Sequence, residues 1–201
     1  MPARRLVLAS TSPYRRELLS RLRLPFEVRA PEVDETPLTG ERPIDLTERL
    51  ALAKAEAIAD RDAEAVVIGS DQVADLEGRS IGKPGDHAGA TSQLRSMSGR
   101  TVLFHTAVAV VCRATGFQAV DIASVSVLFR ALGDGEIERY LRSEQPYDCA
   151  GSAKAETLGI ALLDSIRSDD PTALIGLPLI RTCALLRRAG IDPLAAPGAA
   201  P

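Results

Sequence analysis

A short stretch of the chain places a carboxylate directly after a buried strand. Val66-Val67-Ile68 is a run of β-branched apolar residues, typical of a strand buried on both faces, and Gly69-Ser70-Asp71 follows at its carboxyl end. In open α/β sheets ligands bind at the carboxyl ends of strands, and a glycine lets the backbone approach a ligand closely. We therefore expect Asp71 to face a ligand; the alternative is ordinary turn chemistry that only closes a loop.

A second candidate lies at the start of the first helix, which the pattern predicts over residues 14–24. Ser12 is a good N-cap residue and Pro13 suits the first helical position. Arg15 and Arg16 then fall in the first turn, where the helix dipole disfavours cations by up to about 1 kcal/mol. Because a bound anion would reverse that penalty, the segment indicates a phosphate site, with a capped surface helix as the alternative.

Three further charged positions could serve the same site. Glu35 lies in an acidic loop bounded by prolines, whose carboxylates could bind metal, act as bases or simply be solvated, and spacing does not rank it above Asp34. Lys54 lies at the edge of the apolar stripe of a helix predicted over 43–60, so it either snorkels to solvent or reaches a polar site. Lys83 lies between a glycine and a proline, and a loop held in this way suits a phosphate contact.

The remaining pattern alternates strands with helices. Small residues with a lysine and a glutamate over 149–156 resemble a second ligand-facing loop, and the Ala-, Pro- and Gly-rich tail at 193–201 is predicted to be disordered. Strands are predicted at 5–9, 25–28, 101–112 and 117–129, and helices at 86–97, 134–143 and 178–189.

Composition excludes several classes of protein. Of the 201 residues 45% are hydrophobic and 25% charged, which is typical of a globular protein in water, and no apolar run approaches the roughly 20 residues of a membrane span. The amino terminus has too few apolar positions for a signal peptide, so we expect a cytoplasmic protein. A net charge of −3 and an aromatic content of 3% argue against nucleic acid as a partner.

Cysteine and histidine usage gives no metal motif. Cys112, Cys149 and Cys183 are widely spaced and are expected to be buried free thiols. His87 and His105 are expected to be structural residues. Charge is uneven along the chain, with seven arginines in the first thirty residues and an acidic stretch after them. That pairing suits a phosphate ester bound with a metal ion, although two solvated faces are the commoner outcome.

Several short motifs occur together in one order, and together they resemble the Maf family of nucleotide pyrophosphatases in register from about residue 6 to residue 190. The motifs are Leu8-Ala9-Ser10-Thr11-Ser12-Pro13, Arg15-Arg16-Glu17-Leu18-Leu19, Val33-Asp34-Glu35, Lys54-Ala55, Gly69-Ser70-Asp71-Gln72, Gly82-Lys83-Pro84 and His105-Thr106.

The resemblance implies a fold and an activity. The fold would be an α/β structure, an elongated mixed β-sheet with flanking helices in two lobes around a cleft, similar to the inosine triphosphate pyrophosphatases, with residues 1–192 as a single domain. The activity would be hydrolysis of a nucleoside triphosphate to the monophosphate and pyrophosphate with a divalent cation, Mg²⁺, Mn²⁺ or Co²⁺. The partner would be a small-molecule nucleotide, with no membrane, and a homodimer is left open.

The resemblance also implies roles for individual residues. Asp71 matches the proton acceptor of the family, and with Glu35 it would hold the metal. The other polar site positions are Ser10, Arg15, Glu35, Lys54 and Lys83. A water that attacks the α-phosphorus needs a base, and the departing pyrophosphate needs cations, so the chemistry agrees with these roles.

Three positions bear on the choice of base. Gln72 and Glu156 are similar to the YceF branch of the family, which acts on N7-methyl-GTP. Glu156 could accept hydrogen bonds from guanine, and Tyr14 could stack on the cationic methylated base. Two alternatives stay open: a dTTP/UTP pyrophosphatase of the same family, and a non-catalytic nucleotide sensor that regulates septum formation.

Overall fold

The computed structural model describes residues 4–195. Of the tail predicted to be disordered, residues 196–201 lie outside the described residues, and residues 193–195 form a turn in which the Ala195 N–H donates to the Asp192 carbonyl. Within residues 4–195 no helix combines the length and the apolar character that crossing a membrane requires.

Seven strands form one mixed sheet. The strands are β1 (Leu6–Ala9), β2 (Phe26–Arg29), β3 (Val66–Leu76), β4 (Arg79–Ile81), β5 (Thr101–Cys112), β6 (Phe117–Phe129) and β7 (Leu163–Arg167). Their order in the sheet is β2-β1-β3-β5-β6-β7, with β4 paired to β3. Strand β1 pairs in parallel with β2 and β3, whereas every other pairing is antiparallel.

Five α-helices cover the sheet, and short 3₁₀ helices connect several elements. The helices are α1 (Pro13–Ser20), α2 (Pro43–Ala59), α3 (His87–Met97), α4 (Asp134–Glu144) and α5 (Leu179–Arg188). The predicted α/β class is confirmed.

The core has two parts, because β3, β5 and β6 are long enough to run through both. In the first lobe α1 and α5 pack on one face of the sheet through residues such as Leu18 and Leu185, and α2 packs on the other face. In the second lobe α3 and α4 pack around Phe129. The predicted arrangement of two lobes is confirmed.

Gly69 on β3 allows helix α2 to lie very close to the sheet. A Cβ atom at this position would lie 2.2 Å from the carbonyl oxygen of Ala51 and 2.6 Å from the backbone nitrogen of Ala55. The sequence suggested a glycine that admits a ligand; in the structure the close approach is to a helix. This packing brings the side chains of α2 onto the strand that carries Asp71.

The structure corrects several sequence predictions. Strand β3 continues to Leu76, so Asp71 lies within this strand rather than after its carboxyl end, because residues 69–75 remain paired with β5. Helix α1 ends at Ser20 rather than at residue 24, because Leu22 N–H bonds to the Leu19 carbonyl in a tightened last turn and Arg23 then adopts a positive φ of 56°. Strand β7 was not predicted. It is an edge strand with mostly exposed side chains, so its sequence carries no burial pattern.

Candidate active site

A cavity of about 680 Å³ lies between the two lobes, and it collects the nine residues that the sequence named for catalysis or substrate binding. Arg16, which was predicted beside Arg15 in the phosphate site, is exposed and does not line the cavity. The predicted residues that line it are Ser10, Tyr14, Arg15, Glu35, Lys54, Asp71, Gln72, Lys83 and Glu156. These positions span almost 150 residues of the chain, so only the fold brings them together.

The centre of the site is a lysine held between two carboxylates. Lys54 Nζ lies 2.7 Å from Asp71 Oδ1 and 2.8 Å from Glu35 Oε1. The side chains of Lys54 and Asp71 are only 6% and 8% exposed, whereas that of Glu35 is 58% exposed. Lys54 therefore reaches a polar site rather than solvent, which decides between the two alternatives that its position on α2 left open.

The backbone explains why these groups meet. Asp71 and Gly69 lie two residues apart on β3, so their side-chain positions share the face that α2 covers. Lys54 follows Ala51 by three residues on α2 and therefore projects from the same side of the helix. Close packing at Gly69 thus holds the ammonium group against the Asp71 carboxylate.

Glu35 and its neighbour Asp34 have different partners. The Asp34 carboxylate accepts a hydrogen bond from the Thr36 backbone N–H at 2.9 Å, whereas Glu35 bonds to Lys54. Burial alone would raise the pKa of the Glu35 carboxyl. The hydrogen bond from Lys54 and the nearby charges of Lys54, Lys83 and Arg15 outweigh burial and hold that pKa below its usual value. Glu35 is therefore the ionised carboxylate that faces the cavity.

Arg15 is fixed at the amino end of α1. Ser12 caps this helix by accepting a hydrogen bond from the Arg15 N–H, and the Ser10 hydroxyl in turn accepts one from the Ser12 N–H. The Arg15 side chain donates from Nε to the Gly176 carbonyl at 2.9 Å. Burial lowers the pKa of Arg15, while the charges of Asp71 and Glu35 oppose that shift. The guanidinium therefore keeps its charge and has its terminal nitrogens available for an anion.

Positive charge exceeds negative charge at this end of the cavity. Arg15, Lys54 and Lys83 supply three cations, and Glu35 and Asp71 supply two carboxylates. Lys83 is exposed at the rim, whereas the other two cations are held inside. A polyphosphate would complete the charge balance, and the free N–H groups at the start of a helix also favour an anion.

The carboxylates fit a divalent cation that is shared with a bound phosphate. No group of three or more His, Cys, Asp or Glu side chains that could hold a metal exists among residues 4–195. Mg²⁺ commonly binds through one or two carboxylates together with substrate phosphates, and Glu35 and Asp71 each have one oxygen that is not bonded to Lys54. The two residues therefore suit a metal that arrives with the nucleotide.

The other end of the cavity carries an aromatic ring among charged groups. Tyr14 and Glu156 line it as predicted, together with Asp148 and Cys149. Lys154 Nζ lies 5.9 Å from the centroid of the Tyr14 ring. Burial raises the pKa of the Tyr14 hydroxyl. Sequence reasoning placed the 149–156 loop at a ligand but did not single out Asp148 or Lys154.

Gln72 holds a loop of the cavity wall. Its Nε2 atom donates to the backbone carbonyls of Ala173 and Leu174 at 2.9 and 3.0 Å, and it lies 3.0 Å from Thr106 Oγ1. Thr106 Oγ1 also donates to the Ala173 carbonyl at 2.8 Å. Any effect of Gln72 on a bound base is therefore exerted through its Oε1 atom or through the position of this loop.

Ser70 is a buried residue that sequence reasoning treated as part of a turn. Its hydroxyl lies 2.8 Å from the Ala107 carbonyl and 3.1 Å from the Gly176 carbonyl, the same carbonyl that receives the Arg15 Nε–H. The sequence did contain a signal for the position of Ser70. Because side chains alternate along a strand, the Ser70 hydroxyl and the Gln72 amide group point to the face opposite Asp71.

Most of the arginines near the amino terminus form surface ion pairs. Among the described arginines of that segment, Arg15 lines the cavity, whereas Arg5 and Arg29 pair with Asp62 and Arg21 pairs with Glu17. The uneven charge along the sequence therefore reflects mostly solvated faces, but Arg15 and, from the acidic stretch, Glu35 line the cavity.

The cysteines are free, but they are not all buried. Cys112 is buried, whereas Cys149 and Cys183 are half-buried, so the prediction was right for Cys112 and wrong for the other two. Both half-buried thiols lie beside other polar groups at the surface of the fold. Burial raises the pKa of Cys149 to about 12, which keeps that thiol protonated.

His105 belongs to a second polar cluster, on the same sheet but outside the cavity lining. Its Nδ1 lies 2.7 Å from Ser124 Oγ and its Nε2 lies 3.3 Å from Asp75 Oδ2. His87 similarly contacts Tyr147 and Glu138. These contacts agree with a structural role for both histidines.

Comparisons with known proteins match this chain over nearly its whole length. The model of the family described as "Maf-like protein" matches residues 5–189. A protein of a Polaromonas species is 68% identical over 94% of this chain and 86% of its own, and one of Albidiferax ferrireducens is 63% identical over 96% and 97%. Both relatives are named 7-methyl-GTP pyrophosphatase.

Among solved structures, the Ham1 protein of Staphylococcus aureus is similar at a TM-score of 0.46 and 18% identity, over 63% of this chain and 72% of that one. This likeness is too weak to support an argument about fold or activity. The family model and the two relatives, in contrast, cover the whole cavity and every residue at its centre. The chain belongs to the Maf family.

Proposed function

We propose that this protein is a nucleoside triphosphate pyrophosphatase that hydrolyses N7-methyl-GTP to N7-methyl-GMP and pyrophosphate. The observation that carries the proposal is the buried Lys54 between Asp71 and Glu35 in a cavity that Arg15 and Lys83 also line. The names of relatives 68% and 63% identical to this chain support the choice of substrate.

Asp71 is the general base of the proposed reaction. Its Oδ1 atom is bonded to Lys54, so the proton of the attacking water goes to one lone pair of Oδ2, and the other lone pair of Oδ2 would face the metal ion. The ammonium of Lys54 favours the charged form of the carboxylate, and it also fixes the direction in which Oδ2 points. The water then attacks the α-phosphorus, and the bond between that phosphorus and the bridging oxygen breaks.

Cations stabilise the charge that develops on the leaving pyrophosphate. Lys83 at the rim and Arg15 at the start of α1 are placed on the side of the cavity that a triphosphate would occupy, and Lys54 lies below them. Glu35 and Asp71 would hold the Mg²⁺, Mn²⁺ or Co²⁺ ion, which supplies further positive charge to the phosphate oxygens when it is bound. Ser10 lies in the loop that leads into the same helix.

The base would bind at the other end of the cavity. Glu156 is exposed there and can accept hydrogen bonds from the N1 and N2 hydrogens of guanine. The Tyr14 ring offers a face for stacking with a cationic base. Gln72 acts mainly through the 173–176 loop, which its amide group holds in place.

The proposal also covers the domain organisation, the location and the partner of the protein. Residues 1–192 act as a single domain, since three strands of one sheet run through both lobes. We expect the protein to work in the cytoplasm, where nucleoside triphosphates are made and used. Its partner there is the nucleotide.

Product analysis of the purified protein tests the proposal. N7-methyl-GTP, GTP, dTTP, UTP and CTP are supplied separately with Mg²⁺ or Mn²⁺, with and without a chelator. We expect N7-methyl-GTP to be turned over fastest, to the monophosphate and pyrophosphate, with loss of activity in chelator. A preference for dTTP or UTP would refute the proposed base specificity, and binding without any product would favour the sensor.

A further inference from the structure

A lysine lies over the ring of Tyr14, the residue proposed to stack on the base. Lys154 Nζ lies 5.9 Å from the centroid of the ring, and its side chain is only 15% exposed. Burial alone would lower the pKa of Lys154, but contacts with Tyr14, Cys149 and Asp148 outweigh it and raise that pKa. The ammonium group is therefore charged at neutral pH.

The backbone holds Lys154 firmly in this position. Its N–H donates to the Tyr140 hydroxyl at 3.1 Å, and Tyr140 is buried in the second lobe. Gly159 packs directly against it, because a Cβ atom at Gly159 would lie within 2.6 Å of both the nitrogen and the carbonyl oxygen of Lys154. These contacts fix the backbone from which the Lys154 side chain extends toward Tyr14.

Asp148 borders both this lysine and the cavity. Its Oδ1 atom is 3.8 Å from Lys154 Nζ and 3.4 Å from the Cys149 thiol, and its side chain is 60% exposed. Asp148 also lines the cavity at the same end as Tyr14 and Glu156. Its carboxylate can therefore interact with Lys154 and with a bound base at the same time.

These charges matter because of what distinguishes the proposed substrate. A guanine that carries a methyl group on N7 is a cation, whereas the guanine of GTP is neutral. Lys154 on its own would repel the cationic base at the Tyr14 ring and would leave the neutral base almost unaffected. With Asp148 present, the two carboxylates Asp148 and Glu156 exceed the single cation, so this end of the cavity carries net negative charge.

We propose that Asp148 is a specificity-determining residue that offsets the charge of Lys154 and so allows the site to prefer a cationic purine over a neutral one. This inference rests on the proposed function and deepens it. It assigns discrimination of base charge to Asp148, while Glu156 recognises the hydrogen-bonding edge that both guanine nucleotides share.

A double-mutant cycle tests the inference with two substrates. The quantity measured is the ratio of kcat/KM for N7-methyl-GTP to kcat/KM for GTP, in the wild type, Asp148→Asn, Lys154→Met and the double variant. Because both side chains interact across solvent, we expect Asp148→Asn to lower the ratio by roughly threefold. Asp148→Lys should lower it further, and the loss should shrink as ionic strength rises.

The double variant separates charge from structure. Asp148→Asn with Lys154→Met removes one negative and one positive group, so the net charge near Tyr14 equals that of the wild type and the ratio should recover. Asp164→Asn, an exposed carboxylate on β7, is the matched control and should leave the ratio unchanged.

The outcomes distinguish failure of this inference from failure of the proposed function. An unchanged ratio in both Asp148→Asn and Asp148→Lys would overturn the role of Asp148 while leaving the pyrophosphatase intact. A ratio that falls in Asp148→Asn and does not recover in the double variant would overturn the role of charge. A wild-type protein that does not hydrolyse N7-methyl-GTP would overturn the proposed function and this inference with it.

Discussion

Two polar clusters lie on the same face of the sheet, and both contain residue types that are used in catalysis. Asp71 and Asp75 are four residues apart on β3 and therefore point to the same side. Asp71 bonds to Lys54, which also holds Glu35. Asp75 bonds to His105, which lies against the exposed Ser124 in an arrangement of serine, histidine and aspartate.

The surroundings of the two clusters differ. Asp71 faces the cavity of about 680 Å³, at the end where the three cations Arg15, Lys54 and Lys83 outnumber the carboxylates of Glu35 and Asp71. His105 lies on the sheet, paired with Val73 of β3 on one side and Ser124 of β6 on the other, and the backbone groups of these strands are used in sheet pairing. An oxyanion would find few free N–H donors there. Residue types alone therefore do not define an active site. A cavity whose charge is complementary to that of the substrate is also needed.

The largest effect is expected from Asp71→Asn. The amide cannot accept the proton of the attacking water, so turnover should fall by about 10² to 10⁴, the usual contribution of a general base. Steady-state kinetics on N7-methyl-GTP measure this change, and circular dichroism checks the fold. Asp75→Asn, on the same strand and face, is the matched control and should retain most activity. Near-normal turnover in Asp71→Asn would remove Asp71 from the chemistry.

The next effect is on stability, in Lys54→Met. This change leaves the buried Asp71 carboxylate without its cation, and breaking a buried pair in this way should lower the free energy of unfolding by about 3 kcal/mol. Urea denaturation measures the loss. Lys83→Met removes an exposed cation from the same cavity, so it should change stability by less than about 0.5 kcal/mol and still slow turnover. Equal losses of unfolding free energy in the two variants would contradict the central position of Lys54.

A smaller effect is expected from Arg15→Lys. The lysine keeps the positive charge but loses the Nε–H bond to the Gly176 carbonyl and the planar fork that binds phosphate. We expect KM for the nucleotide to rise about tenfold, which corresponds to roughly 1.4 kcal/mol of binding. Arg16→Lys, at the exposed neighbouring position, provides the control. A KM that rises equally in both variants would indicate a general charge effect.

The smallest catalytic effect is expected in the second cluster. His105→Gln should lower stability by about 1 kcal/mol, because the contacts with Ser124 and Asp75 are weakened, and it should leave kcat/KM nearly unchanged. Thermal melting and kinetics on the same preparations measure the two quantities. If His105→Gln lost activity as Asp71→Asn does, the distinction between the two clusters would fail.

The sequence predicted best what depends on local pattern. The buried start of β3 at residues 66–68, the Ser12 cap and the two long antiparallel strands all follow from periodicity and from residue preferences at helix ends. The predicted end of β3 was wrong, because Asp71 lies within the strand and not after it. The edge strand β7 was missed because its side chains are mostly exposed. The sequence also predicted that Gly69 allows a close approach to the backbone. In the structure, the group that approaches is helix α2 rather than a ligand.

The sequence predicted which residues form the candidate site, but it did not predict which of them contact each other. Three kinds of local signal were enough to name Arg15, Lys54 and Asp71: a position at a helix start, one at the edge of an apolar stripe and one just after a buried apolar run. The sequence could not show that Lys54 joins Asp71 to Glu35, because that contact depends on how closely a helix packs on the sheet. Asp148 and Lys154 were missed for the same reason, since their relation to Tyr14 exists only after the lobes have folded together.

One isotope experiment tests the central claim most directly. N7-methyl-GTP is hydrolysed by the wild-type protein in water enriched in heavy oxygen, and the products are separated and weighed by mass spectrometry. If a water activated by Asp71 attacks the α-phosphorus, the heavy oxygen will appear in N7-methyl-GMP and the pyrophosphate will be unlabelled. Heavy oxygen in the pyrophosphate, or release of single phosphate groups, would contradict the account.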